Sequence, residues 1–171
     1  YTFKPDKSNV RFIGLDSNAM MFDRDLDEQG AFVDRTVGLA DSDYVIAFGH
    51  HPYISNGKHG NAGRYEGIPY LPIISGDDVK DFMEDHVCGQ VNMYICGHDH
   101  NRQWLETTCG TEFIVSGAAA KTTGLEGRGN TSLFEDDSVE GFLWVEIVDR
   151  SFTGRFYNLR GEMEYEQTFT F

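Results

Sequence analysis

Two short stretches place histidines directly behind apolar runs, Phe48-Gly49-His50-His51-Pro52 and Cys96-Gly97-His98-Asp99-His100. Imidazole is a common ligand for zinc, iron, manganese and similar ions, and it is the side chain best suited to moving protons near neutral pH. In His98-x-His100 the spacing lets one turn aim both rings into one pocket, and Gly49 and Gly97 let the backbone turn closely there. A single histidine at a strand end is usually an ordinary hydrogen-bonded residue. His50, His98 and His100 at two strand ends, with Gly49 and Gly97 directly before the first histidine of each, strengthen the case for metal ligation, and spacing alone carries the argument no further.

The elements that must position these residues follow from hydrophobic pattern. Residues 10–16 become increasingly apolar and stop at Asp16-Ser17-Asn18, the pattern of a buried strand ending in a turn. Leu26, Val33, Val37 and Ala40 recur at helical spacing, with acidic residues gathered near the start, so a helix is expected over 25–40. Residues 44–48, bounded by Asp41-Ser42-Asp43 and Gly49, and residues 91–96 read as further buried strands, each running into a histidine motif. Ligands of open α/β sheets bind just beyond the carboxyl ends of strands, where both motifs fall.

Between the motifs, residues 50–74 form a long loop, followed by a helix over 76–87 with Ser75 as its cap and Val79, Phe82, Met83 and Val87 on its apolar face. Beyond the second motif the pattern changes to strands without helices, over 103–106, 112–116, 141–148, 152–158 and 165–171, the last three nearly period two. The Gly/Thr/Ser-rich segment 122–138 reads as an exposed loop.

The 171 residues suit one domain, and no apolar run is long enough to span a bilayer. The formal net charge of −14 opposes nucleic acid, while a small phosphorylated substrate stays compatible because bound cations dominate the local field. Cys88, Cys96 and Cys109 form neither a disulfide framework nor a cysteine zinc site; a Cys96–Cys109 bridge, a Cys88–Cys109 bridge and free thiols all stay open.

Gly49-His50-His51-Pro52 followed by Gly97-His98-Asp99-His100-Asn101 resembles the late motifs of calcineurin-like metallophosphoesterases, and in particular those of the purple, tartrate-resistant type acid phosphatases. Lys58-His59-Gly60 stands where that branch has a second histidine before glycine. Phe12-Ile13-Gly14-Leu15-Asp16, Val115-Ser116-Gly117-Ala118 and Gly141-Phe142 extend the likeness over most of residues 10–148. The resemblance implies an α/β fold, the C-terminal half of a four-layer α/β/β/α sandwich with mixed sheets that ends in largely antiparallel strands. Residues 1–171 would be one domain lacking its N-terminal part.

Carried onto this sequence, the resemblance makes His50 and His98 ligands of one metal and His100 a ligand of the other, with His59 facing the substrate as phosphate binder or proton donor to the leaving alkoxide. The paired ions, iron with iron, zinc or manganese, would activate water for in-line attack on phosphorus. His51 fills the variable place of its motif and is read as a supporting residue rather than a ligand. Asp99 would orient an imidazole or bond its own backbone, and Lys58, Arg64 and Arg102 are expected to be solvated surface charges. Asn130-Thr131-Ser132 matches a glycosylation sequon.

The earlier motifs of such enzymes, which supply the bridging carboxylate and an asparagine, are not in this sequence; Ser75-Gly76-Asp77-Asp78 opens a helix instead. The expectation is therefore that an N-terminal fragment of the same protein, or a separate chain, completes the fold, and that the fragment alone is inactive. The leading expectation is a phosphomonoesterase. A phosphodiesterase or nucleotidase of the same superfamily, and a non-catalytic metal-binding or structural subunit, are the alternatives. Secretion or a periplasmic site fits the branch.

Overall fold

A computed structural model describes residues 1–6, 8–39, 44–68 and 71–170. Val10–Gly14 (β2), Tyr44–Phe48 (β3) and Met93–Cys96 (β4) lie side by side and parallel, and Glu112–Ser116 (β6) continues the parallel set beyond β4. Thr2–Phe3 (β1) pairs antiparallel with β2, Arg102–Leu105 (β5) with β6, and Ser132–Asp136 (β7) with β5. The result is a seven-stranded mixed sheet in the order β1-β2-β3-β4-β6-β5-β7. Gly141–Val148 (β8), Ser151–Asn158 (β9) and Met163–Thr170 (β10) form a separate antiparallel meander.

Side-chain alternation assigns the two faces of the large sheet. Ile13, Val45, Ala47, Tyr94 and Val115 pack with Val33 of Leu26–Val37 (α2) and with Val79 and Phe82 of Asp77–Phe82 (α4). The intervening residues Tyr44, Ile46, Met93, Trp104 and Ile114 face the meander and meet Phe152 and Phe156. Strands covered on both faces must be apolar throughout, which is why residues 44–47 are all buried. The layers are helices, mixed sheet and antiparallel sheet, as expected. The outer face of the meander leaves Phe142, Trp144 and Val148 exposed.

Several local expectations change. The segment 122–138 holds a strand, β7, whose Phe134 stacks on Phe156 and Tyr165, each with centroids 5.1 Å apart. So short and polar a strand is fixed by its non-local partner rather than by its own pattern. Ser75 does not cap the following helix: it ends a short helix, Pro72–Ser75 (α3), and Gly76, at φ +73°, makes the turn into α4. The end of that helix widens into a single π turn over Met83–Val87. Ala40, the boundary Asp41-Ser42-Asp43 and Phe171 lie outside the described residues.

Arg102 is not a surface charge. It is fully buried and pairs with Asp136 of β7 and Glu164 of β10, so that it links the two sheets. Arginine can take this place because its planar fork serves two carboxylates at once. Cys88 and Cys109 form a disulfide with Cα atoms 5.3 Å apart, and Cys96 is a buried free thiol. Among the described residues no helix is long and apolar enough to cross a membrane.

Candidate active site

Because β2, β3 and β4 run parallel as neighbours, their carboxyl ends share one edge, and Asp16, His50-His51 and His98-Asp99-His100 follow from that edge. The turns there are tight. A Cβ on Gly49 would lie 2.5 Å from the Tyr94 hydroxyl, and one on Gly117 would lie 2.0 Å from the Asp99 carbonyl, so only glycine fits at either place. His98 itself adopts left-handed backbone, φ +62°, an unusual conformation that bends the chain at the second histidine motif.

The histidines of both motifs converge. Nε2 of His50 and Nδ1 of His98 are 3.0 Å apart, and one ring nitrogen from each of His50, His51 and His98 falls within 4.8 Å of the others. Burial, then the facing imidazoles of His59 and His50, pushes His98 down to about 4. Burial, then His98, His50 and His59, does the same to His51, also to about 4. Both rings are thus held neutral, the form that binds a cation.

His51, read from sequence as a supporting residue rather than a ligand, joins this cluster. The hydroxyl of Ser17, from the short helix Ser17–Met20 (α1), accepts the backbone N–H of His50 at 3.1 Å and of His51 at 3.0 Å, and sits 3.1 Å from His51 Nδ1. With both lone pairs taken, that hydroxyl gives its proton to Nδ1, which leaves the ring proton of neutral His51 on Nε2. His51 then offers a donor rather than a ligand. The signal that would have revealed this, Ser17 beside Asp16, lies 34 residues away in sequence.

His59 also arrives at the cluster, its ring centroid 4.2 Å from that of His98. Asp99 is fully buried, and its carboxylate bonds neither an imidazole nor an adjacent N–H; it accepts the Ser55 hydroxyl and, at 2.9 Å, the backbone N–H of His59. His100 stands apart from the three-histidine cluster, and its Nδ1 is buried with no hydrogen-bond partner. Burial, then Lys121 and His59, lowers its pKa. The amide of Asn130, in the sequon, is taken up by Asn56 and Asn61. A cavity of about 650 Å3 lies beside Asp16 and α2, and the histidines do not line it.

This donor set fits a cation. Metal–imidazole bonds of about 2.1 Å set neighbouring ligand atoms of an octahedral ion roughly 3 Å apart, the separation of His50 Nε2 and His98 Nδ1. The unpartnered Nδ1 of His100 is a further donor without another use. The three-histidine cluster holds no carboxylate.

No family model matches the chain. Tartrate-resistant acid phosphatase type 5 of Sus scrofa is 32% identical over 90 residues, covering 53% of this chain and 23% of that protein. The Homo sapiens protein of the same name is 27% identical over 142 residues, 78% of this chain and 40% of its own. The chain thus spans at most two-fifths of these curated relatives. Among solved structures, one described as GAP50, the anchor in the inner membrane complex of Plasmodium, aligns with TM-score 0.74 at 20% identity, covering 99% of this chain and 53% of that one. A dimetal phosphatase from Danio rerio aligns with TM-score 0.56 at 14% identity, covering 99% and 60%.

Proposed function

We propose that this chain, which belongs to the metallophosphoesterase superfamily and covers its C-terminal part, contributes the histidine half of a site for metal-dependent hydrolysis of phosphate monoesters. The observation that carries the reading is the approach of His50 Nε2 and His98 Nδ1 to 3.0 Å at the ends of adjacent parallel strands. In it His50 and His98 hold one metal and His100 a second. Bound cations would supply Lewis-acid charge to the phosphoryl oxygens. His51 Nε2–H is a hydrogen-bond donor for a phosphate oxygen. His59, as the imidazolium, donates a proton from Nε2 to the leaving oxygen as its bond to phosphorus breaks, so that an alcohol departs rather than an alkoxide and the ring is left neutral with its proton on Nδ1.

Imidazoles alone do not neutralise two dications, so the carboxylates must come from a further segment of the protein or from another chain. The shape of the molecule supports this. Among the described residues three strands cover a seven-stranded sheet, and a cavity of about 540 Å3 opens between the sheets where Phe12, Ile46 and Ile95 face Val145 and Ile147. A strand added beside β8, apolar on its inner side, fills that space. The Cys88–Cys109 disulfide fits an oxidising compartment, hence secretion or a periplasmic site.

A non-catalytic metal-binding or structural subunit is the second reading, favoured by the carboxylate-free cluster. Metal content and p-nitrophenyl phosphate turnover, measured on this chain with and without the completing segment, separate the two. The catalytic reading expects weak metal binding and no turnover by the chain alone, with both restored on completion. Full metal occupancy without turnover in the completed form would favour the subunit. His98→Ala is expected to lower metal affinity at least tenfold and His51→Gln to leave it nearly unchanged; equal losses would make His51 a ligand after all.

A further inference from the structure

The segment that carries His59 is fastened at three atoms. Its backbone N–H donates to Asp99 Oδ1 at 2.9 Å, its carbonyl accepts the backbone N–H of Glu66 at 2.9 Å, and its ring Nδ1 pairs with the Glu66 carboxylate. Glu66 reaches back because it sits in left-handed backbone, φ 56°, inside the turn Tyr65–Gly67. That turn is anchored from below by Tyr65, only 2% exposed, whose hydroxyl donates to the carbonyl of Pro52 at the end of the first histidine motif. Arg128 holds the other end of the segment through the carbonyls of Gly57 and Lys58.

An ordinary surface ion pair requires none of this. A non-glycine residue in left-handed backbone carries a conformational cost, sustained here by contacts on both sides. We propose that Glu66 is a positioning residue for His59: its carboxylate captures Nδ1–H, so that Nε2 is the ring nitrogen presented beside His98. Asp99 sets the height of the same ring by holding its backbone. The role of His59 toward a leaving group rests on the phosphoesterase reading above; the placement of its ring by Glu66 does not.

In such an arrangement the carboxylate fixes which nitrogen faces the reacting atoms and stabilises the orientation of the ring, as outer partners of functional histidines commonly do. The test uses wild type, Glu66→Ala and Glu66→Gln in the full-length protein, with thermal melting as the folding control. Long-range 1H–15N NMR reads which nitrogen of His59 carries the proton. Turnover is measured on p-nitrophenyl phosphate, whose phenolate leaves without a proton, and on glycerol phosphate, whose alkoxide needs one.

In its neutral form the wild-type ring is expected to carry its proton on Nδ1, that of Glu66→Ala to be redistributed, and that of Glu66→Gln, which keeps an acceptor oxygen, to stay close to wild type. On glycerol phosphate Glu66→Ala should lose about 10- to 100-fold in kcat with little change in KM; on p-nitrophenyl phosphate it should lose far less, and Glu66→Gln should recover most of the activity. A proton position indifferent to Glu66→Ala overturns the proposal, as does an equal loss on both substrates. Hydrolysis of neither substrate by wild type sinks the phosphoesterase reading while the NMR comparison still decides the part played by Glu66.

Discussion

The two faces of the seven-stranded sheet are packed by different means. Toward the helices the core is largely aliphatic, with Ile13, Val33, Val45, Val79, Val87 and Val115, and at its rim the histidine turns are set by hydroxyls: that of Ser17 accepts backbone N–H groups, and those of Ser55, Tyr65 and Tyr94 donate. Toward the meander the core is aromatic: Trp104 meets Phe152, Tyr165 and Phe169 at steep angles, and the buried Arg102 fastens one sheet to the other. Small hydroxyl groups place backbone at fine spacing but contribute little area. Large rings contribute area and tolerate adjustment at the site less directly. The helix-side face therefore shapes the site, and the meander face supplies much of the cohesion. Breaking one should leave the other legible.

The largest effect is expected at the sheet-to-sheet link. Arg102→Ala leaves Asp136 and Glu164 facing each other and removes a filled volume beside Phe134, a loss of about 3–5 kcal/mol. Urea unfolding measures it, and the imidazole NMR signals of the remaining folded protein should stay at their wild-type positions. A change under about 1 kcal/mol would mean that aromatic packing alone holds the sheets together.

Next comes the disulfide, which closes a separation of 21 residues between the end of the π turn and the connection from β5 to β6. Its replacement by the Cys88→Ser, Cys109→Ser pair is expected to cost about 3 kcal/mol. Hydrogen exchange should locate the loss on the helix side, in α4 and β4, ahead of the meander.

Ser17→Ala sharpens the contrast from the site's side. It strands the N–H groups of His50 and His51, a loss of about 1–3 kcal/mol, yet its main signature should be a changed proton position on the His51 ring. An unchanged ring would show that Ser17 is not what sets the His51 tautomer.

How much of this was readable in the sequence divides along the same line. The strands that end in histidines announce themselves because both faces are buried: Tyr44-Val45-Ile46-Ala47 is apolar without interruption. The convergence of His50 and His98 followed from parallel neighbours sharing an edge. What the sequence conceals is non-local. β7 exists because β5 pairs with it, Arg102 is buried because Asp136 and Glu164 arrive from 34 and 62 residues away, and Glu66 meets His59 only through a left-handed turn. Periodicity within a window carries no record of such partners.

The smallest effect concerns acid. Burial pulls Asp136 upward, but hydrogen bonds from Ser138, Arg102 and the Val139 N–H, with the charge of Arg102, outweigh it and set its pKa below the usual 3.8. A carboxylate depressed on folding stabilises the protein fully above its unfolded value, and that contribution disappears as the pH falls through the folded one. Asp136→Asn should therefore be less stable than wild type at pH 7 and converge on it as the pH falls below 3.8 and through the folded value. Glu164 shares the same guanidinium and keeps it paired in the variant, so the sheets should stay joined and the loss stay well under that of Arg102→Ala. Parallel stability curves with no convergence at low pH would show that Asp136 contributes through packing and the Ser138 turn, and that the link between the sheets rests on Glu164.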